Sequence, residues 1–237
     1  MNSQDDQGYA GLSDVKAENE PHLGGNILEG DPYTFCPRVW SYVIERFAIA
    51  SVLDLGSGIG TAADYFHRKG LRTIAVDGLL DNVGAAVYPT ICHDLTKSPV
   101  RTRVDLVHCQ EVVEHIEERF LDNLLTSLCC GKIILMTHAI PGQGGYHHVN
   151  ENTTEYWVQR VSGRGYSLLA EDTDRIRAIA QSERAVYIQN TELLISQKMM
   201  TFPVFSTIFT VLVSSGKSFC RCDAASDEMS GQTQRGR

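Results

Sequence analysis

Between residues 50 and 137 short apolar runs alternate with segments of mixed polarity. The runs fall at 52–55, 72–77, 88–92, 104–109 and 132–137. Branched apolar residues in blocks of this length predict strands buried on both faces of a parallel sheet. The segment 61–68 reads as a helix, so the order strand, helix, strand implies βαβ units. Upstream, Pro37 opens a helix to about Phe47, with Val39, Trp40, Val43, Ile44 and Phe47 on one stripe at spacings of three and four. Downstream, a helix is expected over 152–161, with Asn152 as N-cap and Glu155 at the capping-box position. A strand follows at 166–169, and a last one within 185–195.

The most informative run is Val52-Leu53-Asp54-Leu55-Gly56-Ser57-Gly58-Ile59-Gly60. A strand ends in three alternate glycines just before a helix, so backbone N–H groups at the helix start face a ligand that approaches closely. A dinucleotide fingerprint would carry its third glycine at position 61, which is Thr61 here. Asp54, two residues before the first glycine, would repel a pyrophosphate and suits an ammonium group. The ligand expected here is therefore cationic and carries no phosphate.

This acid-x-Gly-x-Gly-x-Gly pattern resembles motif I of the class I S-adenosylmethionine-dependent methyltransferases. The resemblance covers about residues 31–198. It implies a Rossmann-like, doubly wound α/β fold, with a seven-stranded, mostly parallel sheet, helices on both faces and a hairpin at the sheet end. It also implies that Asp54, Gly56, Ser57, Gly58 and Gly60 hold the methionine moiety of S-adenosylmethionine. Asp77 and Gly78 follow the second strand about 20 residues on, where an acid binds ribose hydroxyls. Asp94 would take the adenine amino group, and Gln110 and Glu111 close the fourth strand. Asp77 and Asp94 also read as ordinary cap or turn residues. By position, Tyr33 and Arg38 would line the site beneath a lid helix.

Size and charge narrow the partners. The chain has 237 residues, 43% hydrophobic, and a formal net charge of −8. That predicts one domain at 31–198, a loose polar arm at 1–30 and an atypical tail at 199–237. The acidic balance argues against general nucleic-acid binding. No apolar run reaches the ~18 residues of a membrane span, and the apolar stretch Met199 to Val213, with a proline at 203, is too short for one. The N-terminus lacks the basic and apolar regions of an export signal, so a cytoplasmic protein is expected. Of seven cysteines, Cys36, Cys92, Cys109, Cys129 and Cys130 read as reduced core thiols, and Cys220-x-Cys222 lacks the spacing of a zinc site.

A second constellation is Glu111-Val112-Val113-Glu114-His115. A helix starting at Glu111 places Glu111, Glu114 and His115 on one face, and Val112, Val113, Ile116, Phe120, Leu124 and Leu125 on the other. The set resembles metal-using O-methyltransferases of ubiquinone synthesis and the 2′-O-methyltransferases of small-RNA 3′ ends. Both resemblances imply a further ligand from the glycine-rich loop 141–150, here His148 or His147, and a divalent cation (Mg²⁺, Mn²⁺ or Zn²⁺). Without a metal, the acids favour a helix start, the paired histidines order the loop, and His138 is a general base or a core residue. The expected reaction is methyl transfer to a small or medium acceptor, a small molecule or a glycan- or lipid-type compound, more readily at oxygen, with Glu111, His115 and His148 in catalysis. The rival readings are a catalytically inactive cofactor-binding protein and an RNA 3′-terminal 2′-O-methyltransferase.

Overall fold

The computed structural model describes residues 14–16, 19–27, 33–183, 185, 191 and 193–197, all within one compact unit, Met1–Met199. The expected tail at 199–237 and the Cys220–Cys222 pair lie outside the described residues. In chain order the elements are β1 (Asp14–Lys16), β2 (Gly25–Ile27), α1 (Pro37–Phe47), β3 (Ser51–Leu55), α2 (Thr61–Arg68), β4 (Arg72–Asp77), α3 (Leu80–Ala85) and β5 (Thr90–Cys92). They continue with β6 (Val104–Cys109), α4 (Leu121–Leu128), β7 (Gly131–Met136), α5 (Thr154–Ser162), β8 (Tyr166–Leu168), α6 (Ala170–Ala180) and β9 (Leu193–Gln197). Strands β1 and β2 form a small antiparallel pair of their own.

The other seven strands form one sheet in the order β5-β4-β3-β6-β7-β9-β8. Strands β3 to β7 pair in parallel, and β9 runs antiparallel to β7 and β8, which makes the hairpin at the sheet end. The order reverses between β3 and β6. At such a point the helices leave toward opposite faces and open a crevice at the carboxyl edge.

Alternate residues of the strands serve two cores. Leu53, Leu55, Val107, Ile134 and Met136 pack with Leu124, Leu128 and Trp157 of α4 and α5. Val52, Leu106 and Leu135 pack with Trp40, Phe66 and Ile176 of α1, α2 and α6. Burial on both faces explains why β3 is buried throughout and reads as a near-continuous apolar run.

Three local expectations are corrected. The helix predicted from Glu111 does not form. Glu111 has a left-handed φ of 54°, and only a 3-10 turn, Val113–His115, follows. Two loop amides, those of Val149 and Asn150, donate to the Glu114 carbonyl at 3.0 Å, and Asn150 Nδ2 donates to the Ile116 carbonyl at 3.0 Å. The acceptors an α-helix would need are already taken. Second, α5 is capped by Thr153, whose Oγ1 accepts from the Tyr156 amide at 3.3 Å, while the Asn152 amide is drawn to the Ala139 carbonyl at 3.2 Å. Third, Cys92 is exposed on the edge strand β5, whereas Cys36 and Cys109 are buried; none of the five described thiols forms a disulfide. No helix among the described residues is long and apolar enough to cross a membrane.

Candidate active site

A cavity of about 380 Å³ sits over the carboxyl ends of β3, β4 and β6. Of the residues singled out in the sequence, Asp54, Gly56, Ser57, Gly58, Asp77, Gly78, Asp94, Gln110, Glu111 and His115 line it. Gly60 does not. It caps α2 in a left-handed conformation with Tyr88 packed behind it. Tyr33 and Arg38 are also absent from the wall, where Thr34, Phe35 and Trp40 stand instead. Arg38 turns outward to Ser182 and Glu183. His22, Leu23, Gly24 and Gly25, from the expected N-terminal arm, close one side.

The glycine loop is fixed by its own strand neighbours. The amides of Gly56 and Ser57 donate to the Val76 carbonyl at 2.8 and 3.0 Å. Gly56 has φ 73°, and a Cβ there would stand 2.2 Å from Val112 Cγ2, so only glycine lets this turn pass the start of the β6 loop. Asp77 accepts from the Gly58 amide (2.8 Å), the Leu79 amide (2.9 Å) and Asn82 Nδ2 (2.9 Å). It therefore anchors the loop as well as facing the cavity. Burial raises its pKa, against the lowering effect of these donors. Asp94 is the reverse case. Partial burial alone would raise it, but the hydroxyl and amide of Thr96, with His22 at 3.1 Å, hold it down at about 2.

The second cluster lies beside this cavity. Ligand atoms of Glu114, His115 and His148 all fall within 4.8 Å of one another. They come from the 3-10 turn and the 141–150 loop, not from one helix face. Glu114 is fully buried, and its carboxyl group faces that of Glu111. Burial and then the adjacent Glu111 carboxylate push its pKa well up. Burial, with His148 and His147 nearby, lowers His115 to about 4, and burial lowers His148. Glu111 stands against Glu114 without joining the three, and its amide donates to Thr137 Oγ1 at 2.8 Å. His147, with φ 52°, is likewise outside the set. The loop is shaped by Glu151, whose carboxylate accepts from the amides of Gly142 (2.7 Å) and Gly144 (2.6 Å) and lies 3.5 Å from His148 Nδ1.

Residues 31–174, more than half the chain, match the family described as a methyltransferase domain. The chain belongs to this family. It is an S-adenosylmethionine-dependent methyltransferase. Solved structures agree on the fold. One is an S-adenosylmethionine-dependent methyltransferase from Archaeoglobus fulgidus, 18% identical, TM-score 0.51, covering 72% of this chain and 96% of that one. Another is the magnesium protoporphyrin IX methyltransferase of Synechocystis PCC 6803 with bound S-adenosylhomocysteine, 16% identical, TM-score 0.50, covering 68% and 80%. No curated protein sequence matches the chain.

The methyltransferase cavity suits its cofactor on physical grounds. Asp54 Oδ2, Ser57 Oγ and Asn82 Oδ1 are buried without hydrogen-bond partners, and all three residues line the cavity. Unpartnered buried polar atoms are costly, so they point to a ligand that supplies the missing groups. An ammonium matches Asp54, a carboxylate matches the Ser57 hydroxyl, and a ribose hydroxyl matches the Asn82 carbonyl beside Asp77. Asn82 and His108 were not singled out in the sequence, where no motif marks them. His138 is a core residue. It is buried, with Nε2 3.1 Å from Thr154 Oγ1, and it does not line the cavity.

Proposed function

We propose that this methyltransferase methylates an oxygen of a small or medium acceptor, assisted by a divalent cation held by Glu114, His115 and His148. The observation that carries this reading is Glu114. A wholly buried carboxyl group, faced by the Glu111 carboxyl and clustered with two imidazoles whose pKa values burial lowers, is a strong donor set for a cation and an expensive arrangement without one. Mixed carboxylate and imidazole donors suit Mg²⁺, Mn²⁺ or Zn²⁺.

Bound S-adenosylmethionine would supply a sulfonium methyl group that an acceptor oxygen takes by in-line displacement, the S–CH3 bond breaking and S-adenosylhomocysteine leaving, and a cation would lower the pKa of the acceptor hydroxyl. The chain aligns the partners. Asp54 and Ser57 take the amino-acid end, Asp77 with Asn82 takes the ribose, and Asp94 takes the adenine amino group. Gln110 borders the cofactor at the end of β6. Glu111 stands on the cavity wall next to Glu114, in place to receive the proton the hydroxyl gives up. His115, held near 4, is too weak a base for that task and serves better as a ligand.

A cavity of about 380 Å³ is filled by one cofactor-sized molecule, so the acceptor approaches from the end where His115 and Tyr146 stand. Ile140 and Val149 are exposed beside this loop, which favours an acceptor with apolar surface, such as a lipid-type compound. The net charge of −8 disfavours an RNA substrate.

Calorimetric titration of metal-free protein with MnCl₂ tests the cation site. We expect one ion per chain, with affinity at least tenfold weaker in E114Q, while S-adenosylhomocysteine binds both proteins alike. A wild-type protein that binds no cation, or an E114Q variant that binds as tightly, would overturn the metal-assisted reading.

A further inference from the structure

Asp54 and His108 are register partners on the adjacent parallel strands β3 and β6. His108 Nδ1 lies 2.6 Å from Asp54 Oδ1, and the residues are 3% and 2% exposed. Asp54 Oδ2 has no partner, and neither has His108 Nε2. The imidazole is wedged edge-on between Trp40 of α1 (centroids 5.5 Å apart, 89°) and Phe66 of α2 (5.3 Å, 74°). Both Asp54 and His108 line the cofactor cavity.

We infer that His108 is a positioning residue for the amino-acid end of the cofactor: it clamps one oxygen of Asp54 so that the other alone is presented to the ammonium group. The inference rests on the cofactor reading above. An aspartate carboxyl turns about a broad, two-fold torsion. A single hydrogen bond from a ring that two aromatic neighbours hold in place removes that freedom. With the proton on Nδ1, the unpartnered Nε2 is a lone pair, which is cheaper to bury than an N–H without an acceptor. The pair then carries one net negative charge, matched by one ammonium in a charge-assisted hydrogen bond. A lysine or arginine in place of His108 would hold the carboxylate as firmly but cancel the charge the ligand needs.

The test compares S-adenosylhomocysteine with 5′-methylthioadenosine, which shares the nucleoside and thioether but lacks the amino-acid group. Calorimetry on wild type and H108L should show S-adenosylhomocysteine weakened about tenfold and 5′-methylthioadenosine within about twofold of wild type. A packing role would weaken both ligands equally, and that result, or an unchanged S-adenosylhomocysteine affinity, would overturn the inference. Should H108L fail to fold, two amides decide. The Asn side-chain nitrogen replaces Nδ1 and the Gln nitrogen replaces Nε2, so H108N should bind S-adenosylhomocysteine nearly as wild type and H108Q about tenfold more weakly. Equal affinities would contradict the clamp. Wild type that binds neither ligand would overturn the cofactor reading itself, whereas wild type that binds S-adenosylhomocysteine no more tightly than H108L and H108Q strikes His108 alone.

Discussion

Glu114 has its carboxyl group fully buried, with the Glu111 carboxyl group against it. Its folded pKa is raised well above the ordinary 4.5, so the folded state holds a proton that the unfolded chain gives up. Its contribution to stability is therefore complete below about 4.5 and is lost as pH rises through the raised value. E114Q has no such proton to lose. In cation-free buffer the melting temperature of E114Q should exceed that of wild type by a margin that widens from about pH 5 to about pH 8, and Mn²⁺ should narrow it by stabilising wild type alone. His115 acts in the opposite sense. With its pKa lowered to about 4, its contribution is present above 6.5 and lost as pH falls toward 4. Parallel melting curves for the two proteins would show that Glu114 carries no strained charge. At this scale Asp54 was legible, because its offset from Gly56 fixes its place at the strand end. His108 was not, because its partner lies 54 residues away and the pairing exists only once β3 and β6 are in register.

The loops that carry the site differ in how plainly the sequence announces them. The glycine loop after β3 is written in its spacing, and α2 spans Thr61–Arg68 as the pattern predicts. The turn after β6 misleads. Glu111 to Glu118 has acids suited to a helix start, yet long-range donors from the 149–150 loop take the carbonyls and override local propensity. Three members of the expected metal set still meet, because the same loop delivers His148 to Glu114 and His115. Gly145 makes that delivery possible. Its φ is 149°, and a Cβ would lie 2.4–2.7 Å from the ring atoms of His148. G145A should therefore weaken Mn²⁺ binding at least tenfold while S-adenosylhomocysteine affinity stays within about twofold, since Gly145 does not line the cavity. Paired titrations with the two ligands check this. Equal losses would mean that the cradle and the cation cluster are one mechanical unit.

For the whole molecule, the order of strands and helices was enough to predict a parallel sheet of βαβ units; the doubly wound form came from the resemblance, and the reversal between β3 and β6 is visible only in the folded sheet. The contribution of His22–Gly25 to the cavity wall was hidden, because this polar segment has no periodicity of its own and is placed by contacts such as His22 with Asp94. Cofactor capture is the claim on which the rest depends. Binding to the folded state alone stabilises by about 2.7 kcal/mol at a hundredfold excess over Kd, enough for a rise in melting temperature of roughly 5–10 °C in a domain of this size. The most direct test is calorimetric titration of the full chain and of D54N with S-adenosylhomocysteine. We expect one molecule bound per chain at micromolar Kd, and affinity about 10–100-fold weaker in D54N, the loss of one hydrogen bond to a charged group. No binding to the wild-type chain at millimolar ligand, or equal affinity for both proteins, would contradict the assignment of the glycine cradle and Asp54 to the cofactor.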